Sequence, residues 1–343
     1  MIRAARKSAL DLVSDSLKKL DFGNPGLVLA KFLEAQPNPD KSESGKDAAI
    51  RLIEQVSAWS PTSDYENAYT RWLEAVKTFG QPLILSAKAI TPLAIGLGNS
   101  SPLENGLALN KTYGTPYLPG SALKGLLRRV AQRQNVPAEA LEVLAGTTES
   151  AGHVIYWDAW LDPSSPVTKP FQADIITTHH PKYYGQRGQE PPSDFDDPTP
   201  IAFVSIKPGV KFTIALSSAS ENAKPWLDLA AKLLVWGLRN LGVGGKTNAG
   251  YGYLDAKVEA SDEEKAALAA RAKELLEQYQ GQIESIDAPG KISMANKIVR
   301  ELGKEPPGAR KPVLLVLKQQ LESAGIWDEG NYRIRNIIKL LEE

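Results

Sequence analysis

Apolar residues recur at two periods along this chain, and the switches between them divide it into three parts. Up to about residue 80 the spacing is helical. Leu10, Leu12, Val13 and Leu17 predict a first helix and Leu27 to Leu33 a second, then the polar run Gln36 to Lys46 reads as a connection before helices at Ala48 to Trp59 and Tyr65 to Val76. From Pro82 the period drops to two, with Leu83, Leu85, Ala87 and Ala89 alternating against Ser86 and Lys88 in a strand from Pro82 to Ile90. The aromatic and β-branched runs Gly152 to Leu161 and Phe171 to Thr178 read as strands. So do Ile201 to Ile206, Lys211 to Ser217 and the segment carrying Leu254, Ala256 and Val258. Helices interrupt this pattern at Ser121, where Leu123, Leu126, Leu127 and Val130 share a face, and at Pro225, where Trp226, Leu229, Leu233 and Trp236 do.

Strand, helix, four strands, helix and strand in that order imply an α+β core over residues 81–260, of the ferredoxin-like (RRM-like) kind with long inserted loops. A helical segment, residues 1–80, packs ahead of it. From Ser261 the period is helical again, and residues 261–343 read as a C-terminal helical appendage. Its helices run through KAALAARAKELLEQ, Ser293 to Leu302, Pro312 to Ala324 and Tyr332 to Leu341, broken by Ala288-Pro289-Gly290 and Glu305-Pro306-Pro307-Gly308. The stretch from Thr177 to Pro200 is too rich in Pro, Gly and Asp for an element and reads as a long protruding loop.

The stretch Gly96 to Arg129 passes from a Gly/Ser/Pro/Asn-rich loop through the turn run Tyr113 to Gly120 into the helix opened by Ser121. Lys124 and Arg128 lie one turn apart beside its apolar face, with Arg129 next to them, so its start is expected to receive anions. The second such stretch is Gly242 to Gly252. Gly245-Lys246-Thr247 resembles the end of a phosphate-binding P-loop, but Asn240 stands where the leading glycine belongs, and helix–loop–strand is the wrong order. What remains is a loop whose Gly244, Gly245, Lys246, Thr247, Asn248 and Tyr251 suit a sugar-phosphate backbone, unless the glycines merely turn the chain back into the sheet. The helix has its own plain alternative, a solvated cationic face. The expectation is that the two glycine-lined turns fold toward one another and share one groove.

Charge sharpens this picture by being balanced. Lys+Arg and Asp+Glu each number 40 in 343 residues, so a polyanion partner must be met by a local patch. The absence of cysteine excludes disulfides, thiolate metal sites and cysteine nucleophiles. The early basic residues are followed at once by Asp11 and Asp15, and no apolar stretch reaches membrane-spanning length, so no signal peptide, no membrane and a cytoplasmic location are expected.

Conventional catalytic patterns are lacking. Of the 3 histidines, His179 and His180 are adjacent and make a poor metal pair, while His153 lies in a predicted strand. Asp158 and Asp174 look isolated, the cluster Asp194, Asp196 and Asp197 looks solvated, and no Ser/His/Asp order stands out. No metal and no cofactor are expected. Tyr183 and Tyr184, with Lys182 and Arg187 nearby, can stack on unpaired bases or else pack the long loop on its own sheet.

The run Leu103 to Leu107, continued by Tyr113-Gly114-Thr115-Pro116-Tyr117-Leu118-Pro119-Gly120-Ser121-Ala122-Leu123-Lys124-Gly125-Leu126-Leu127-Arg128, resembles the pattern of the RAMP superfamily of CRISPR proteins, as does Gly242 to Gly252. Asn24-Pro25-Gly26-Leu27 with Lys31, Gly152-His153-Val154 before Trp157-Asp158-Ala159, and Asp174 to Tyr184 are similar to the family of sixth subunits of Cmr, the type III-B effector. The resemblance covers roughly residues 20–260 and implies a ferredoxin-like RAMP fold in a non-catalytic subunit of an antiviral ribonucleoprotein. Such a subunit holds the 3′ part of a guide (CRISPR) RNA, touches the repeated backbone subunit and the small helical subunit, and stands near target RNA. On that reading Ser121, Lys124, Arg128, Arg129 and the loop from Gly244 to Tyr251 hold the guide, and His179, His180, Lys182 and Tyr183 wedge or stack at the guide–target duplex. The alternatives are a metal-independent endoribonuclease that processes guide precursor with His153, His179 and Lys246, and a scaffold that meets protein alone. The appendage from Ser261 matches nothing in the family.

Overall fold

The computed structural model describes residues 23–33, 43–80, 82–178, 180–196, 199–220, 222–288 and 291–342. The helix expected around Leu10 to Leu17, most of the run from Gln36 to Lys46, and His179 lie outside the described residues. The chain forms two compact units, Met1–Glu259 and Ala260–Glu343.

The first unit opens with helices α1 (Pro25–Lys31), α2 (Glu43–Ser57) and α3 (Ser63–Thr78), then strand β1 (Leu83–Ala89). After a long loop come β2 (Tyr117–Leu118), α4 (Gly120–Arg133), α5 (Ala138–Ala145), β3 (Ile155–Tyr156) and β4 (Ala159–Leu161). They are followed by β5 (Phe171–Thr178), α6 (Pro181–Gly185), β6 (Thr199–Ile206), β7 (Lys211–Ser217), α7 (Lys224–Asn240) and β8 (Leu254–Val258). The main sheet runs β2-β4-β7-β1-β8, with β3 also on β7, and its pairs are antiparallel.

Alternation decides what each face of this sheet meets. Leu85, Ala87, Phe212, Ile214, Leu216 and Leu254 are buried in one core with Leu123, Leu127 and Val130 of α4 and Leu234 and Leu238 of α7. The two helices cross at Gly237, where a Cβ would lie 2.6 Å from the Val130 Cγ2. The opposite face is covered by α3. Tyr65 donates to the Leu161 carbonyl at 2.6 Å and stacks on Trp160, Tyr69 shares a hydrogen bond with Thr213 at 2.6 Å, and Trp72 stacks on Trp160 at 5.3 Å. Burial drives the Tyr65 phenol well above the usual range, and burial does the same to Tyr69, up to about 12.

The segment Gly152 to Leu161 is two short strands. Between them Trp157 turns to donate to the Ser217 hydroxyl at 2.9 Å, and Asp158 turns to the start of α4. Phe171 to Thr178 and the strand after it form a two-stranded ribbon of their own, in full register from Phe171↔Ile206 to Thr178↔Thr199, so the protruding segment is shorter than expected and contains α6. The base of this ribbon is held by α1 and α2, where Phe171 and Val204 pack with Val28, Leu52, Ile53 and Val56, and Trp59 stacks on Phe171 at 5.8 Å. Asn24 caps α1 by accepting from the Leu27 amide at 3.0 Å, and its own amide donates to the carbonyls of Lys111 and Thr112. Helix α5, framed by Pro137 and Gly146, is an addition to the expected order.

The second unit is helical, with α8 (Asp262–Glu284), α9 (Ile292–Leu302), α10 (Pro307–Ser323) and α11 (Tyr332–Glu342). Its separate core gathers Leu275, Tyr279, Ile283, Ile298, Leu302, Val313, Leu317, Leu321, Ile334 and Ile337. Ser261 and Glu264 close a capping box at the start of α8.

Candidate nucleic-acid interface

The glycine-rich segment is shaped by backbone conformations that side chains resist. Gly242, Gly244, Gly250 and Gly252 all have positive φ, and Lys246 joins them at φ 57°. At Gly252 a Cβ would fall 2.2 Å from the Val243 carbonyl oxygen, so no other residue fits without moving backbone. The loop closes on itself through the Val243 amide donating to the Gly252 carbonyl at 2.9 Å and is tied to the chain after β1 at two points. Gly245 donates to the Ala94 carbonyl at 2.7 Å, and Gly252 to that of Pro92 at 2.8 Å. The glycine loop therefore touches only the beginning of the Gly96 to Arg129 stretch, since Gly244 and Gly245 lie against Ala94, Ile95 and Leu97.

The supply of free amides is smaller than the composition suggests. Gly245, Ala249, Gly250, Tyr251 and Gly252 all donate within the protein. Among the described residues no acceptor meets the amides of Gly244, Lys246, Thr247 and Asn248. Gly244, Lys246 and Asn248 are exposed and Thr247 is half-buried, an arc that runs into a single turn of 3-10 helix at Thr247–Ala249. Such an arc can receive phosphate oxygens.

Asp174 joins this loop to the ribbon. Its Oδ2 accepts from the Tyr251 hydroxyl at 2.7 Å and from the Ser205 hydroxyl at 3.2 Å, and its Oδ1 from the Ile175 amide at 2.9 Å. Burial first, then the bond and charge of Asp174, push the Tyr251 phenol up to about 12. Leu93 and Ile206 exchange backbone hydrogen bonds, so the loop after β1, the glycine loop and the ribbon form one continuous rim. Asp174 seemed isolated in the sequence because both partners are distant along the chain. Its charge, within a strand that reads FQADIITT, was the one local signal.

Helix α4 stands elsewhere. Its first residue, Gly120, abuts Tyr156, which pairs with Leu216 and so lies level with Leu83 at the start of β1; the glycine loop lies beyond the end of that strand. A seven-residue strand is about 20 Å long. The first amide of α4 donates to Asp158 at 2.8 Å, so the protein's own carboxylate occupies the anion-receiving position. Ser121 and Arg129 are exposed and Lys124 is half-buried, but Arg128 turns inward and donates to the carbonyls of Ala145 and Gly146 at the end of α5.

At the ribbon's far end, His180 Nδ1 lies 3.1 Å from Asp196 Oδ2, which also accepts from the Ser193 amide. Tyr183 and Tyr184 meet edge to face, Tyr184 is 67% exposed and Phe195 97%, so aromatic surface is displayed there. Lys182 belongs to α6, with its side chain outside what is described. His153 is exposed at a shallow acidic cleft with Glu139 and Glu142, and its amide donates to the Val143 carbonyl.

Comparison with known proteins places these features in context. The RAMP superfamily model matches residues 86–255. The chain is 27% identical to the CRISPR system Cmr subunit Cmr6 of Pyrococcus furiosus, over 49% of its own length and 66% of the relative's. It is also 27% identical to the CRISPR system CMR subunit Cmr6 of Saccharolobus solfataricus, over 46% of its length and 50% of that protein. It thus spans just under two thirds of the first of these relatives and half of the second. Among solved structures, a chain of a type III-B Cmr-β complex bound to cognate target RNA matches with a TM-score of 0.52 at 20% identity, covering 74% of this chain and 90% of that one.

Proposed function

Residues 86–255 of the chain belong to the RAMP superfamily, and from that premise we propose that it is a Cmr6-type, non-catalytic RNA-binding subunit of a type III-B CRISPR effector complex, holding guide RNA by its backbone. The single observation carrying this reading is the rim on which the glycine loop presents unmatched amides beside Lys246 and Asn248, braced by the loop after β1 and by Asp174. We read β1, α4, β4, β7, α7 and β8 as a ferredoxin-like core in which α3 occupies the sheet face that bases would otherwise stack on. Contact is thereby moved to the rim, where amides and a lysine meet phosphates and leave base edges unread. The partners on this reading are guide RNA, the repeated backbone subunit and the small helical subunit, with target RNA reached from the ribbon's aromatic end.

Guide binding by the assembled complex, measured against salt, tests the proposal. For single-stranded RNA the slope of log affinity on log salt is about −0.7 per phosphate neutralised, so Lys246→Ala flattens it by about the share of one phosphate. An unchanged slope removes the loop from the interface. Incubating the protein with guide precursor tests the non-catalytic part: site-specific cleavage abolished by His153→Ala would make it a ribonuclease instead.

A further inference from the structure

The basic side chains of the second unit are used in two different ways. On α8 and α10 some of them answer acids: Arg271 bonds Glu274 at 2.9 Å and Glu305 at 2.7 Å, and Lys318 lies 3.6 Å from Glu322. On α9 and α11 they do not. Helix α9 buries Ala295, Ile298, Val299 and Leu302, which turns Lys297, Arg300 and, just past its end, Lys304 together to solvent. Helix α11 buries Ile334 and Ile337 and exposes Tyr332, Arg335 and Lys339 at positions i, i+3 and i+7. Among the described residues no carboxylate pairs with Lys297, Arg300, Lys304 or Lys339, and Arg335 donates to the backbone carbonyls of Glu329 and Gly330. Glu301, the acid within α9, is turned away and accepts from the Tyr279 hydroxyl at 2.6 Å. The two helices are neighbours, with the end of α9 at Gly303 facing Leu340 of α11.

Lys297 with Arg300, Arg300 with Lys304, and Arg335 with Lys339 stand at the spacings where like charges repel along a helix. A polyanion laid across both helices relieves that repulsion. At one end of the α11 stripe Tyr332 is 68% exposed, with the Arg333 guanidinium 5.4 Å over its ring, an aromatic platform suited to a base or ribose and of no use to an acidic peptide. We propose that the α9–α11 face is a second RNA-backbone surface, distinct from the glycine loop, which takes single-stranded RNA without reading its sequence. It rests on the preceding reading for the identity of the polyanion and for nothing else.

The test uses the whole 343-residue chain carrying Lys297→Gln, Arg300→Gln, Lys304→Gln and Lys339→Gln together, with fluorescein-labelled oligouridine as probe over a salt series. The slope is expected to flatten by about 0.7 for each phosphate no longer neutralised, so by roughly 1.4 to 2.8 in all. Tyr332→Ala, with every charge kept, is expected to weaken binding about 5- to 150-fold at an unchanged slope. A quadruple variant that melts like the parent and keeps its full slope overturns the proposal, as does weakened binding seen with oligoglutamate but not with oligouridine. If Lys246→Ala flattens the slope and the quadruple variant does not, this second surface fails while the glycine-loop reading stands. The reverse result supports the second surface and removes the loop.

Discussion

Arg128 and Arg129 are adjacent in sequence and put to unlike uses. The guanidinium of Arg128 satisfies the carbonyls of Ala145 and Gly146, groups that the last turn of α5 cannot bond itself, while Arg129 faces solvent. Arg128→Ala is therefore expected to cost about 1.5–3 kcal/mol, the range for hydrogen bonds from a charged group, and Arg129→Ala less than about 0.5 kcal/mol; thermal or urea unfolding separates the two. Tyr251 gives a prediction in pH. Its phenol ionises near 12 in the folded protein, above the ordinary value of 10.0, so the unfolded chain loses that proton first. The sign follows: any stability tied to this group is complete below pH 10 and is lost as pH rises from 10 towards 12. Urea midpoints across that window should fall less steeply in Tyr251→Phe than in the parent, and an identical alkaline slope would deny Asp174 and burial their hold on the phenol.

Among the elements, the glycine loop depends most on a single residue type. Gly252→Ala places a methyl against the Val243 carbonyl at a φ of 86°, so it is expected to destabilise by more than the ~1 kcal/mol of a tolerated Gly→Ala change and to abolish binding that relies on the loop. Melting and RNA titration of the same sample check both. This loop was legible in sequence because repeated glycine at the end of a periodic helix has few other uses. The alternation in β1, β7 and β8 and the apolar stripes of α4 and α7 were equally plain. The ribbon was not, because a strand pairing only with its neighbour shows the same alternation as one in a sheet. Nor were the acceptors that tame α4 and brace Tyr251: Asp158 lies 38 residues from Gly120 and Asp174 lies 77 from Tyr251, and periodicity says nothing across such gaps. Charge alone suggested that Arg128 faces outward, and only the fold shows a carbonyl pair within its reach.

For the molecule as a whole, the hydrophobic period changes near residues 80 and 260, and the border between the two compact units falls at the second of these. The sequence could not convey that α3 folds back over the sheet, since Tyr65 and Tyr69 meet Leu161 and Thr213, 96 and 144 residues away. That same covered sheet has a consequence for how the protein is made. The interior strand β1 has both its neighbours, β7 and β8, far downstream, beginning at Lys211 and Leu254. A ribosome adding roughly 5–20 residues per second needs several seconds or more to travel from the one to the others. Throughout the wait for β7, Leu85 and Ala87 lack strands at their side and Tyr69 lacks the Thr213 hydroxyl it will bond, so the nascent chain waits with its middle unbuilt. Refolding from denaturant meets the same delay in another form, because ordering so many distant partners at once is slow.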